Sequence, residues 1–357
     1  MIPYEVAYTR VETPEEAVAV WNDAVGAGEK PVFFGGGTEI VTLARENKLK
    51  VDRVIDYKRI PEARQIPSGG TAGAAGDPGA SGDPGAAGDP GAAGDRLVWG
   101  SALRLSEVTD GGRCGLLSRC CAGIADRTVR NSITLGGNIC GMLPYREAVL
   151  PFLLLDGQME TVGGGDAAGA SAVSEQELVT VRFNKKLKLR DGELILSLSL
   201  DGGVVSGLEG RGMTVSDRGW GPVEAWASGD RGGWYYSRRT QDPRVAYPLV
   251  TLVLARLDGE YRLALTGTFG HPVRASLAEA VLNDTDASAS DSDVSGLSGE
   301  ELVRRAAAAL DAQMYKYKDD FRGSREYRRD VTVQSLAAGI ERLAQLVPAG
   351  GAGAKKE

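Results

Sequence analysis

The chain has 357 residues, 42% of them hydrophobic, enough for more than one packed core. A formal charge of −7 argues against a nucleic-acid partner, which needs a basic face. The opening Met1-Ile2-Pro3-Tyr4-Glu5 shows no leader pattern, and the longest apolar run, Ala148 to Leu155, is too short to span a bilayer, so a cytoplasmic protein without membrane insertion is expected.

In chain order, Thr13, Pro14 and Glu16 mark a helix start: an N-cap, a proline at the first helical position and a capping-box glutamate. Ala17, Val18, Val20, Trp21, Ala24 and Val25 continue it as an apolar stripe that Gly26 to Lys30 ends. Pro31 to Phe34 reads as a buried strand, Ile40 to Asn47 as a short helix and Val51 to Tyr57 as a second strand. This β-α-β order resembles a small α/β subdomain. From Gly70 to Gly94 glycine falls at every third position, with Asp-Pro repeated at 77–78, 83–84 and 89–90. The period permits a collagen-like reading, but a short stretch inside a domain reads as a flexible loop insertion. Gly163 to Gln176, Asp201 to Gly232 and Asn283 to Gly299 are further insertions by composition.

Between these stretches the core pattern returns. Leu97 to Ser101 reads as a strand, Leu116 to Ala125 as an amphipathic helix, and Leu150 to Leu155 and Gln158 to Val162 as apolar or strand-like segments. Leu194 to Leu200 alternates Leu/Ile with Ser, a strand pattern. Tyr247 to Leu257 and Tyr261 to Phe269 form two strands hinged on Asp258-Gly259. Helices follow from about Glu300 to Lys318 and from Arg325 to Leu346.

Two glycine segments carry the functional information. The first is Phe34-Gly35-Gly36-Gly37-Thr38-Glu39-Ile40, directly after a strand. Gly35 and Gly37 suit a Rossmann fingerprint, but Ile40 occupies the third glycine position, and no Lys follows to make a P-loop. Taken alone, this segment reads as a plain strand–turn–helix connection. The second is Val129-Arg130-Asn131-Ser132-Ile133-Thr134-Leu135-Gly136-Gly137-Asn138-Ile139. Turns of this kind expose backbone N–H groups with no Cβ in the way, and such amides cradle phosphate oxygens. Two of them suggest one diphosphate held from two sides.

Cys114, Cys120, Cys121 and Cys140 have no cluster spacing and read as buried thiols. His271 is the only histidine and precedes Pro272 in a predicted loop, so no metal set or Ser–His–Asp triad is expected. Asp156 and Arg239 are isolated titratable residues that read as structural.

Together these residues resemble the FAD-binding subunit of the xanthine dehydrogenase and carbon monoxide dehydrogenase family of molybdenum hydroxylases. Gly35 to Ile40 is similar to that family's A-G-G-T-D-L segment, and Val129 to Asn138 to its I-R-N-x-G-T-I-G-G-N segment. Asp56 to Glu62, Glu193-Leu194-Ile195 and Ser324 to Arg329 agree as well, in the family's order. The resemblance implies an α+β fold: a two-subdomain FAD-binding module of the vanillyl-alcohol-oxidase (PCMH) type and a small α+β C-terminal domain. The module would span 1–200, with subdomains 1–60 and 96–200 and insertions at 67–95 and 163–176. A linker at 201–232, a C-terminal domain of the CO dehydrogenase flavoprotein type at 233–347 and a disordered tail at 348–357 would follow.

The resemblance also places the FAD diphosphate on Gly35, Gly36, Gly37, Thr38 and Glu39 and on Thr134, Gly136, Gly137 and Asn138. Glu147 stands where relatives often carry an Asp that contacts the cofactor's polyol. At Gly141-Met142-Leu143-Pro144 the chain departs from the family's A-x-A-D-P-like run. No catalytic side chain and no metal ligand are expected, because the flavin supplies the redox chemistry. The implied function is electron transfer, with a molybdenum-cofactor large subunit and a 2Fe-2S small subunit as partners and NAD+ as acceptor. Xanthine, and so purine metabolism, is the leading substrate reading. A flavin subunit for CO, aldehyde or N-heterocycle oxidation, a stand-alone flavoprotein of the same fold, or a scaffold with a decayed site are the alternatives.

Overall fold

The computed structural model describes residues 2–67, 96–164, 174–177, 189–217, 223–241, 246–284, 299–313 and 315–346. The Gly-x-y stretch from 70 to 94 and the tail from 348 lie outside the described residues. The chain divides into two units. One comprises 1–141, 156–178 and 186–202; the other comprises 142–155, 179–185 and 203–357.

The first unit begins with β1 (Ala7–Arg10), α1 (Pro14–Gly26), β2 (Pro31–Phe34), α2 (Thr38–Arg45) and β3 (Arg53–Asp56). The strands form a parallel sheet in the order β1-β3-β2, which the intervening helices make possible. Helix α1 starts where the sequence signals it. Thr13 Oγ1 accepts from Glu16 N at 3.2 Å, while the Glu16 carboxylate reaches Glu12 N at 2.8 Å, one residue earlier than in a regular capping box. Trp21 of α1 stacks on Phe33 of β2, with ring centroids 4.8 Å apart.

A second sheet in the same unit holds β4 (Arg96–Gly100), β5 (Gln158–Val162), β6 (Ser174–Glu177) and β7 (Leu194–Asp201), antiparallel in the order β4-β7-β5-β6. In this unit β4 is followed by the short helices α3 (Leu105–Gly111), α4 (Gly115–Ala122), α5 (Arg127–Arg130) and α6 (Leu135–Cys140). The Leu/Ser alternation of β7 is buried on both faces. Ser197 Oγ donates to Glu160 at 2.9 Å and Ser199 Oγ accepts from Arg96, so the small polar face is hydrogen-bonded rather than solvated. One core joins the sheets, with Ile55, Tyr57 and Ile60 from the first side and Val162, Leu194 and Leu196 from the second.

The second unit is built on one six-stranded antiparallel sheet. After α7 (Leu150–Leu154) and α8 (Gly202–Glu209), β8 (Met213–Asp217), β9 (Val223–Ser228), β10 (Gly232–Thr240), β11 (Pro248–Leu257), β12 (Glu260–Thr266) and β13 (Val273–Arg274) run in the order β13-β12-β11-β10-β9-β8. The β11–β12 hairpin turns on Asp258 (φ 51°) and Gly259 (φ 93°), two left-handed residues as the Asp-Gly pair predicts. Helices α9 (Ser276–Asn283), α10 (Gly299–Asp311) and α11 (Arg325–Leu346) close its core against Leu252, Leu254, Leu263 and Leu265.

Three expectations are corrected. Residues 201–232 are not a linker throughout: they hold α8, β8 and β9, whose Val205, Leu208, Ala225 and Ala227 are buried. Small residues there reflect packing, not absence of structure. Leu150–Leu154 is a helix, and residues 142–155 belong to the second unit, where Arg262 donates to Leu154 O and Thr266 to Pro144 O. Helix α10 stops at Asp311, because Tyr317 bridges to Phe269 and Lys318 N donates to Thr268 O, drawing the chain onto the sheet.

One acid-sensitive clamp holds the first unit. Burial works to raise the Glu107 pKa, but hydrogen bonds from the side chains of Arg64 and Arg104 and from Arg104 N hold it at about 2, against a usual 4.5. A carboxyl with a depressed folded pKa adds stability above its unfolded value and loses it as pH falls through the folded one. Thermal melts between pH 4.5 and 2 should therefore show a loss of stability in the parent that Glu107→Gln lacks. Parallel curves for the two would remove the clamp.

Candidate functional site

The two glycine segments, 98 residues apart, meet at one hydroxyl. Thr134 is the N-cap of α6 and 2% exposed. Its Oγ1 accepts from Gly137 N, in its own helix, and from Gly36 N, in the first turn, at 3.3 Å each. The shared acceptor locks the start of α6 against the turn before α2.

The glycines are required by contact. A Cβ on Gly36 would lie 1.8 Å from Ser132 O, so no larger residue fits without moving the second segment. Gly37 is the N-cap of α2 in left-handed backbone (φ 67°), and a Cβ there would strike the Phe34 ring at 2.0 Å. With glycine in that position no side chain caps α2, and its opening amides and the positive end of the helix dipole suit an anion.

The remaining expected residues fall as follows. Gly35 is buried with Thr134 Oγ1 and Tyr57 OH behind it, and Gly136 is buried against Ser101. Glu39 and Asn138 are half-buried, and Thr38 and Gly137 are exposed. Asn138 Oδ1 itself is buried and finds no hydrogen-bond partner among the described residues. Nine of the ten expected residues thus cluster in the first unit. The tenth, Glu147, belongs to the second unit, where its Oε1 accepts from Arg238 Nε at 2.9 Å and Thr251 Oγ1 at 2.8 Å. A buried carboxylate bound in this way serves its own unit's packing.

Two residues that the motifs did not single out stand behind the turns. Tyr57 is 4% exposed, and its hydroxyl stands behind the first turn, 3.0 Å from where a Cβ on Gly35 would lie. Burial pushes its pKa up to about 12, so it keeps its proton. Tyr57 sits inside the Asp56 to Glu62 match, whereas nothing in sequence ties Ser101 to the site.

Elsewhere, Cys114, Cys120 and Cys121 are buried and Cys140 half-buried, and Cys114 caps α4 by accepting from Leu117 N at 3.4 Å. His271 is buried beside Tyr315, with its pKa pushed down to about 4 by burial and by the Arg146 charge, so it is neutral at neutral pH. Among the described residues, no group of three or more His, Cys, Asp or Glu is placed to hold a metal, and no helix is long and apolar enough to cross a membrane. Asp156, in left-handed backbone (φ 52°), and Arg239 on β10 stand outside the glycine cluster.

A glycine-lined cradle, an uncapped helix start and a buried acceptor lacking a donor fit a phosphate-bearing cofactor with hydroxyl groups. Comparison with known proteins identifies it. Residues 91–200 match the family described as FAD binding domain in molybdopterin dehydrogenase. Over these residues the chain is similar to that FAD-binding domain. The match includes the second glycine segment and begins after the first. FAD is the cofactor, and the resemblance read from the two turns is borne out, as is the α+β fold.

Solved structures share the fold. A chain of carbon monoxide dehydrogenase from Hydrogenophaga pseudoflava gives a TM-score of 0.68 at 18% identity, covering 97% of this chain and 99% of that one. Quinoline 2-oxidoreductase from Pseudomonas putida 86 gives 0.66 at 16%, covering 96% and 98%. Carbon monoxide dehydrogenase from Oligotropha carboxidovorans gives 0.67 at 16%, covering 97% and 100%. No curated protein matches the sequence.

Gly36→Ala should abolish FAD retention, since its Cβ would collide with Ser132 O, whereas Gly111→Ala, with nothing within 4 Å, should keep it. Released flavin measured after heat denaturation checks both. Full FAD content in folded Gly36→Ala would remove the cradle from the site.

Proposed function

We propose that this chain is the FAD-carrying electron-transfer subunit of a multi-subunit molybdenum hydroxylase. A molybdenum-cofactor subunit would oxidise the substrate, a 2Fe-2S subunit would deliver the electrons, and NAD+ would accept them. The observation that carries the reading is the meeting of two glycine turns on Thr134, in a chain whose residues 91–200 match that FAD-binding domain. FAD, when bound, supplies the redox chemistry. The protein's part is to seat the diphosphate on the backbone of Gly35, Gly36, Gly37, Thr38 and Glu39 and of Thr134, Gly136, Gly137 and Asn138.

Xanthine is the substrate of the leading reading, on the resemblance of the motifs to xanthine dehydrogenase flavin subunits. A second reading has a specific observation behind it: the structures of like fold are named for CO dehydrogenase and quinoline 2-oxidoreductase. CO or an N-heterocycle is then the substrate of the assembly. In either case the substrate pocket would belong to the molybdenum subunit; the Hydrogenophaga enzyme is named as lacking the Mo-pyranopterin moiety of its molybdenum cofactor.

The purified chain should be yellow and release FAD rather than FMN, because two amide-lined turns suit a diphosphate. It should reduce dyes with NADH at a modest rate, running the terminal step backwards, and oxidise neither xanthine nor quinoline alone. FMN on release, or no flavin after reconstitution, overturns the cofactor assignment. Substrate oxidation by the chain without partners overturns the subunit reading. Absence of any NADH reaction, with FAD bound, overturns NAD+ as acceptor.

A further inference from the structure

The three parallel strands of the first unit end side by side, β1 at Arg10, β2 at Phe34 and β3 at Asp56. Parallel sheets take their ligands outside these carboxyl ends. The first glycine turn continues β2 at that edge, and Lys58 follows β3 at the same edge. The lysine is held there by named contacts. Asp56, 6% exposed, accepts from Lys58 N at 3.1 Å through Oδ1 and pairs with the Lys58 ammonium at 2.7 Å through Oδ2. Tyr8 OH donates to the same Oδ2 at 2.5 Å and so helps to fix the carboxylate. The ammonium also lies 4.9 Å from the centroid of the Phe34 ring. This is the ring that a Cβ on Gly37 would strike, so one side chain touches the glycine turn and carries the cation.

The nine residues proposed to seat the diphosphate include no cation, and Glu39 among them is acidic. The whole chain carries −7. Backbone amides and a helix start offer only partial positive charges to a dianion. We propose that Lys58 supplies the missing charge: its ammonium meets the FAD diphosphate at the first glycine turn, with Asp56 and Phe34 as the residues that aim it. An ammonium has three N–H donors and Asp56 engages one of them, while the side chain is still 38% exposed and open to a ligand. The inference rests on the proposed seating of the diphosphate. The competing reading is a surface ion pair that only tidies the end of β3, and such pairs add little.

The test is a titration of deflavinated chain with FAD, followed by flavin fluorescence at low and high salt. Lys58→Met should raise the FAD Kd roughly tenfold at low salt, the effect of one charge-assisted hydrogen bond. Its Kd should also rise less steeply with salt than the parent's, because a screened contact has been removed. Lys58→Arg keeps the charge and should restore most of the affinity and the parent's salt slope. Lys58→Gln serves in place of Lys58→Met if that variant fails to fold. Lys48→Met is the control for net charge alone, since Lys48 pairs with Glu46 past the far end of α2. It should leave both readings unchanged. An unchanged Kd in Lys58→Met, a tenfold loss with the parent's salt slope, or an equal loss in Lys48→Met overturns the inference. Failure of the parent chain to bind FAD overturns the seating itself, a different result.

Discussion

One hydroxyl bridges the two glycine segments of the proposed site. Thr134 is at once the cap of α6 and the acceptor for an amide of a turn 98 residues earlier. Each of these bonds is individually modest, on the order of 1 kcal/mol. Together they set the relative position of two backbone segments, and a phosphate cradle is made of backbone. A side-chain site tolerates small adjustments by rotamer change, whereas a backbone site moves only with its secondary structure. The turns have little slack: a Cβ on Gly36 would stand only 1.8 Å from Ser132 O.

The elements around Thr134 serve that position. The parallel sheet ends β2 at the first turn, and β3 delivers Tyr57 behind it. The antiparallel sheet delivers Ser101 just past β4, where Ser101 N donates to Leu196 O at 2.8 Å and Gly136 N to Ser101 O at 2.8 Å. The shared core of Ile55, Tyr57, Ile60, Leu194 and Leu196 thus fixes the site as well as the fold.

The second unit is tied by a comparable polar device. Arg328 is fully buried on α11 and donates to Leu249 O at 2.5 Å, Gly267 O at 2.9 Å and Asp320 at 2.7 Å. Asp320 in turn takes hydrogen bonds from Tyr145 and Lys318. Burial works to raise the Asp320 pKa, and Lys318 and Arg328 hold it well below the usual carboxylate range. A buried cation met by three carbonyls, those of Gly323, Leu249 and Gly267, and a carboxylate is satisfied, and it fixes how the helix meets the sheet. This is the physical content of the Ser324 to Arg329 match, whose Ser324 Oγ also accepts from Tyr327 N at the start of α11.

By itself the sequence determined what local chemistry determines. The start of α1 followed from Thr13 and Glu16 and the β11–β12 turn from Asp258-Gly259, and α11 spans the Arg325 to Leu346 read from the sequence. The backbone-amide character of the two turns followed from their glycines, and the cofactor class from having two of them. Tertiary structure decided the rest, because it depends on partners distant in the chain. Leu150–Leu154 has no period that separates helix from strand, and packing on β11 and β12 chose helix. The small residues of 201–232 became strands because the growing sheet offered an edge for them. Glu147 reads as a ligand contact from sequence, and only the fold puts Arg238 and Thr251 around its carboxylate. Ser101 carries no motif of its own: a buried hydroxyl gains meaning only from the atoms that face it, and the fold sets Ser101 Oγ on Ile195 O and its backbone carbonyl on Gly136 N.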